Sequence, residues 1–175
     1  MFNKLKPLAK KLYDRALAVA FDNSDYLKKL WTGSLKHREG DVAFIPVEQL
    51  SRAKIALLTT GGFHLKEEPA FDMSDDKGDP SYRELDVSLP PEHFMITHDY
   101  YDHKDAEVDR NVVFPIERLK EMAAEGFVGG LHSHAYSFMG HVADDTHIPK
   151  LEENARTIGR KLKAAGVRVA LLTPA

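Results

Sequence analysis

Residues 97–103 read Thr97-His98-Asp99-Tyr100-Tyr101-Asp102-His103, which sets two imidazoles and two carboxylates in one short segment. Such groups can ligate a metal, relay protons, or pair so that a carboxylate fixes one imidazole tautomer. His132 and His134 are two residues apart, so on an extended segment they share a face, with Tyr136 beyond them. Joined to His98 and His103, they would complete a zinc or iron site without sulfur. The spacing fits no established zinc pattern, so a histidine pocket without metal is the expectation. Ser133 and Ser137 lack the Gly-x-Ser-x-Gly elbow of a serine nucleophile.

Other motifs are weaker. Gly61-Gly62 lacks the further glycines and the lysine or acidic partner that a phosphate loop needs, so it reads as a tight turn. Asp72, Ser74, Asp76 and Gly78 begin like a calcium loop. The glycine falls one place late, however, and Arg83 stands where a bidentate glutamate belongs. Arg83 itself can clamp a carboxylate bidentately.

These groups need elements to hold them. Leu5, Leu8, Leu12, Ala16 and Val19 form one stripe of an amphipathic helix, and Ser24 can cap a second, short one. Residues 34–53 read as a connector. Residues 54–60 form a short apolar run of the kind buried on both faces of a parallel sheet. Residues 66–92 read as a long irregular loop, and 94–97 as a strand that delivers the His98 segment. Pro115 opens a helix ending at Gly126, residues 127–131 are a strand candidate, and Leu151, Ala155, Ile158 and Leu162 define a helix closed by Gly166. Residues 167–173 read as a last buried strand. No internal repeat is evident. Strands alternating with helices predict an α/β fold, a single three-layer domain with a mostly parallel sheet over 41–175, plus a helical N-terminal extension over 1–40.

Composition narrows the classes. The 175-residue, 19.7 kDa chain carries 24 basic and 27 acidic side chains, too near balance for a protein built to grip nucleic acid. Charge is segregated: residues 1–40 hold nine basic against four acidic side chains, and residues 67–109 fourteen acidic against three basic. No apolar run reaches the roughly 20 residues of a membrane helix, so no membrane partner is expected and the cytoplasm is the default compartment. The chain has no cysteine, which excludes disulfides, thiolate zinc sites and cysteine nucleophiles within these residues.

Several segments taken together resemble one family. Residues 57–66 (Leu-Leu-Thr-Thr-Gly-Gly-Phe-His-Leu-Lys) are similar to the first signature of the selenoprotein B subunits of glycine, sarcosine, betaine and D-proline reductases. The segments 78–83, 96–99, 101–103 and 111–119 resemble its next blocks in order, and Tyr136-Ser137-Phe138-Met139-Gly140 and Leu171-Leu172-Thr173-Pro174 the later ones. His132-Ser133-His134-Ala135 departs from the Pro-Arg-His stretch common there.

The resemblance implies an oxidoreductase that uses dithiol electrons to cleave a C–N bond of glycine, betaine, sarcosine or D-proline. It also implies other reductase subunits as partners, one carrying a pyruvoyl group, and a redox selenocysteine or cysteine just after Ala175. This chain itself requires no cofactor. A selenocysteine codon read as a stop, or a chain cut at that point, is the expected reason for an end at Ala175. His98, Asp99, Asp102 and His103 are the expected catalytic set, facing that nucleophile. Thr60, Gly61, His64, Arg83, Tyr101, His134 and Tyr136 are expected to bind a small amine or amino acid. The 175-residue form alone is expected to be inactive. A sulfur-free metal hydrolase or lyase, and an assembly module that lost the redox residue, are the alternatives. The apolar last strand leaves a homo-oligomer open.

Overall fold

The apolar run after Lys54 folds as expected. β1 (Lys54–Thr59) buries Ile55, Ala56 and Leu57 almost completely, because it carries a neighbour on each edge and a packed layer on each face. The computed structural model describes residues 24–26, 46–98, 101–142 and 146–175. The chain divides into two compact units, residues 1–45 and 46–175. Of the first, Ser24, Asp25 and Tyr26 are described, the last two as helix. The expected helix over 5–19 lies outside the described residues.

The second unit contains β2 (Phe63–Leu65), β3 (Tyr82–Asp86), β4 (Phe94–Ile96), α1 (Lys104–Val108), α2 (Ile116–Ala124), β5 (Gly130–Leu131), β6 (His134–Phe138), α3 (Ile148–Ala164) and β7 (Val167–Thr173). β1 pairs in parallel with β7 along one edge, and with β5 and then β6 along the other. β3 adds to β6 in antiparallel sense, so the sheet is mostly parallel. β2 and β4 form a separate two-stranded antiparallel sheet.

α3 covers one face, where Ile158 and Leu162 bury against Ala56 and Tyr136. The other face holds the larger core: Ile55, Leu57, Leu85 and Ala135 of the sheet meet Ile116 and Leu119 of α2 and Phe63 and Phe94 of the small sheet. Phe114 stacks on Phe63 (centroids 4.5 Å) and meets Phe94 edge-on at 5.5 Å. Truncating a fully buried Ile158 or Phe63 to Ala would cost about 2–5 kcal/mol. The α/β class and three-layer architecture are as the sequence implies. No helix among the described residues is long and apolar enough to cross a membrane.

Four local expectations are corrected. The 66–92 stretch is not irregular throughout: β3 lies within it, hidden because an edge strand needs only one buried apolar residue, here Leu85. The strand at 94–96 stands in the small sheet rather than the main one. α3 begins at Ile148, ahead of Leu151, and Ala155 of its expected stripe is exposed. β7 is not buried on both faces, because Leu172 is 68% exposed.

A short repeat also emerges. Ala56-Leu57-Leu58-Thr59 and Ala170-Leu171-Leu172-Thr173 are the same tetrapeptide, and the structure pairs them side by side in register.

Candidate functional site

Parallel strands deliver their carboxyl ends to one rim of a sheet, and α/β proteins place ligands there. The ends of β1, β6 and β7 meet on that rim. Thr59 Oγ1 and Thr173 Oγ1 both donate to the carbonyl of Val113, at 2.9 and 2.8 Å, tying two strand ends to the turn before α2. The Thr60 N–H donates to Thr173 O (3.1 Å), and the Ala175 N–H to Thr60 Oγ1 (3.0 Å). Residue 175 therefore lies against the end of β1.

Gly61-Gly62 then turns the chain. Gly62 adopts φ +69°, its N–H donates to Phe138 O (3.0 Å), and its carbonyl accepts from the Thr97 N–H (2.9 Å). A Cβ at Gly62 would lie 2.5 Å from Thr97 O, so only glycine lets the two segments approach this closely. That approach brings in His98, which is 4% exposed. Its Nε2 lies 3.2 Å from where a Cβ of Gly140 would stand, and Thr60 O lies 2.9 Å from the same point. Gly140 holds φ +77° just past β6. Thr60, Gly140 and His98 thus converge, with the carboxyl end of β7 beside Thr60.

Tyr101 closes the other side. Its ring meets the His98 ring edge-on (centroids 4.8 Å, 77°), and its hydroxyl donates to Gly61 O at 3.3 Å. Burial, and then the Glu107 carboxylate, push its phenol up to about 12, so it remains a neutral donor across the physiological range. His103 meets the Tyr101 ring edge-on (centroids 5.7 Å, 70°), and its Nδ1 lies 2.8 Å from Glu107 Oε1. Asp102 is exposed and pairs with Lys104 Nζ at 3.0 Å. The side-chain hydrogen bond from Lys104 holds the Asp102 carboxyl below its usual range. The carboxylate on His103 is therefore Glu107 rather than Asp102. Asp99 lies outside the described residues.

The remaining expected residues separate by place. His64 is buried: its Nδ1 donates to the carbonyl of Leu65 (2.7 Å), and its Nε2 is hydrogen-bonded with Thr97 Oγ1 (2.8 Å). It braces the strand before His98. Arg83 spends its donors on Pro69 O, Ala70 O, Tyr82 O and Ser81 Oγ and stacks over Phe71 at 4.3 Å. It clamps its own loop instead of presenting a fork to a ligand.

Tyr136 is fully buried in the α3-facing core and donates to Glu84 Oε1 at 3.1 Å; burial and that carboxylate push its phenol up to about 12. His132, whose N–H donates to Ile55 O (2.7 Å), and His134, opposite Asp86, lie near the start of the strands. His134 is four residues before Phe138 on β6, about 13 Å along the strand. The four histidines are thus not brought together, and no group of three or more potential ligands is assembled among the described residues. Burial, and then the neighbouring His134 and Lys54, depress the His132 imidazole.

The sequence reading quoted Thr97, Val113, Gly140 and Thr173 within longer segments but gave none of them a role at the site. Only the recurrence of Ala-Leu-Leu-Thr at 56–59 and 170–173 signalled two matched strand ends. The carbonyl they share, and the approach of Gly140, have no sequence signature.

Comparison with known proteins is concordant. A family model described as glycine/sarcosine/betaine reductase selenoprotein B matches residues 36–175. The chain is 33% identical over 126 residues to D-proline reductase subunit gamma of Acetoanaerobium sticklandii, covering 72% of this chain and 50% of that one. It is 34% identical over 131 residues to glycine reductase complex component B subunit gamma of Symbiobacterium thermophilum, covering 73% and 30%. Betaine reductase complex component B subunit beta of Peptoclostridium acidaminophilum is 29% identical over 132 residues, covering 73% and 29%. The chain spans about half the length of the first of these relatives and about 30% of the others. No solved structure gives a significant match.

Proposed function

The chain belongs to the glycine/sarcosine/betaine reductase selenoprotein B family, and from that premise we propose that it serves as a selenoprotein B-like subunit, or the front part of one. The reaction is dithiol-dependent reductive cleavage of a C–N bond in glycine, betaine, sarcosine or D-proline. The partners are the other subunits of such a complex, one carrying a pyruvoyl group, and the compartment is the cytoplasm. A redox selenocysteine or cysteine beyond β7 would supply the selenolate or thiolate that attacks the α-carbon as the C–N bond breaks and the amine leaves, with the electrons ultimately drawn from the dithiol. A thiol at its ordinary pKa near 8.5 does this poorly at neutral pH.

One observation carries this reading: Ala175 is hydrogen-bonded to Thr60, and Thr60 meets His98 across Gly140. A nucleophile just beyond β7 would emerge at the rim where a buried imidazole and a neutral phenol already stand. This chain's residues would then orient and move protons. His98 is held edge-on by Tyr101 and is the group to accept or return a proton beside the nucleophile. Thr60 fixes where the segment after β7 leaves the sheet. Glu107 places a carboxylate 2.8 Å from His103 Nδ1.

The test mixes the 175-residue chain with dithiothreitol, the remaining subunits of a reductase complex, and each of the four substrates. No C–N cleavage is expected from this form. It should instead compete with the full-length selenoprotein B subunit and suppress its turnover. Turnover by the 175-residue chain, or no effect on the complete complex at excess, would overturn the proposal.

A further inference from the structure

Residues 72–81 begin like a calcium loop, yet their carboxylates are spent on their own backbone. Asp72 Oδ1 accepts from the Ser74 N–H and hydroxyl, at 2.8 and 2.6 Å. Asp79 closes the loop, because its Oδ2 accepts from the Asp72 N–H (3.0 Å) and its Oδ1 from the Ser81 N–H (2.8 Å). Asn154 Nδ2 donates to Pro80 O at 2.9 Å and so anchors the closed loop to α3.

The loop grips the chain on both sides of Gly140. The Asp79 N–H donates to Sδ of the fully buried Met139 at 3.2 Å. Gly78 is buried against His141, where a Cβ would stand 1.7 Å from His141 O and 2.7 Å from its carbonyl carbon. Gly78 also holds φ +87°, so conformation and space both exclude a side chain. Between the two grips, the His141 N–H donates to Met139 O at 2.9 Å, a three-residue turn with Gly140 at its centre. The same Gly140 lies against Thr60 O and His98 Nε2. One tight turn thus separates the loop from the imidazole.

We propose that the 72–81 loop is a positioning element for His98, acting through Gly78 and the Met139–His141 turn. Ordinary contact begins at 3.4 Å, so a side chain at Gly78 falls about 1.7 Å short of the room it needs. A turn clasped at both ends and packed against its neighbours cannot absorb a displacement of that size. The movement passes to Gly140 and from there to the imidazole. His98 is taken from the functional reading of the rim, but the readout is its ring and not turnover, so the two ideas fail separately.

The experiment follows histidine ring resonances by NMR on the intact chain, with His98 assigned by its loss in His98→Gln. The His98 and Tyr101 rings meet edge-on at 4.8 Å, so their ring-proton resonances report any change in that contact. Gly78→Ala should move the His98 resonances. Gly166→Ala is the control: it holds φ +73°, and a Cβ there meets nothing within 4 Å. It carries the same left-handed backbone penalty and should leave His98 in place. Asp79→Ala opens the loop without adding an atom, and it decides the matter even where Gly78→Ala does not fold. It should speed amide exchange at Gly78 and move the His98 resonances with it. The positioning role is overturned if His98 stays in place in folded Gly78→Ala, or moves as far in Gly166→Ala. It is equally overturned if the Gly78 amide loses protection in Asp79→Ala while His98 does not move.

Discussion

Thr59 and Thr173 donate to one acceptor, the carbonyl of Val113, from equivalent positions at the ends of adjacent parallel strands. A carbonyl has two lone pairs, so both bonds form at once. The shared acceptor holds the exits of β1 and β7 level with each other, and those exits frame the candidate site.

This sharing sets up a non-additive response. Thr59→Val or Thr173→Val alone leaves the carbonyl one donor and should cost about 0.5–1.5 kcal/mol. The double variant leaves it with neither and should lose roughly 1 kcal/mol more than the sum, as expected when a buried acceptor goes unsatisfied. Urea denaturation of the four proteins measures the coupling. Strict additivity would show that the two bonds act separately.

Gly140 and Gly126 have the same backbone conformation, at φ +77° and +78°, but different surroundings. A Cβ at Gly126 meets nothing within 4 Å, whereas one at Gly140 lies 2.9 Å from Thr60 O and 3.2 Å from His98 Nε2. Gly126→Ala should cost only the left-handed backbone penalty of about 1–2 kcal/mol. Gly140→Ala pays that penalty and must also displace His98. Its melting temperature should fall further, and the His98 imidazole resonances should move in Gly140→Ala alone. Identical behaviour of the two variants would remove Gly140 from the site.

Glu84 couples the sheet to α3. Burial raises its carboxyl, but hydrogen bonds from Lys161 and Tyr136 outweigh this and leave it below its usual 4.5. Because the folded value is depressed, the unfolded chain takes up the proton first. The stabilisation is therefore complete above about pH 4.5 and is lost as pH falls through the folded value. Glu84→Gln should cost about 1 kcal/mol at pH 7, as for a partly exposed charged hydrogen bond, and should flatten the acid limb of the stability curve. An unchanged acid limb would assign that limb to other carboxylates.

Legibility followed burial. Residues 54–59, 116–124 and 158–166 were readable because an apolar period or a closing glycine is written into consecutive residues. β3 was not, because a charged edge strand with Leu85 alone buried has the composition of a loop. Histidines show the same division. His98, His64 and His132 are equivalent as letters. One stands at the strand rim beside Gly140, one braces Thr97, and one stacks on Tyr136 at 6.5 Å near the start of the sheet.

Sequence alone determined the α/β class, the family and the cysteine-free chemistry of these residues, since each depends on residue type, order and local period. Tertiary structure decided which polar groups share a site. Strand pairing brings together residues such as Thr60, His98, Gly140 and Ala175, which lie far apart along the chain, while it spreads the near neighbours His132, His134 and Gly140 along the length of a strand. Register and the close approaches that glycine permits are properties of paired segments, so no single segment contains them.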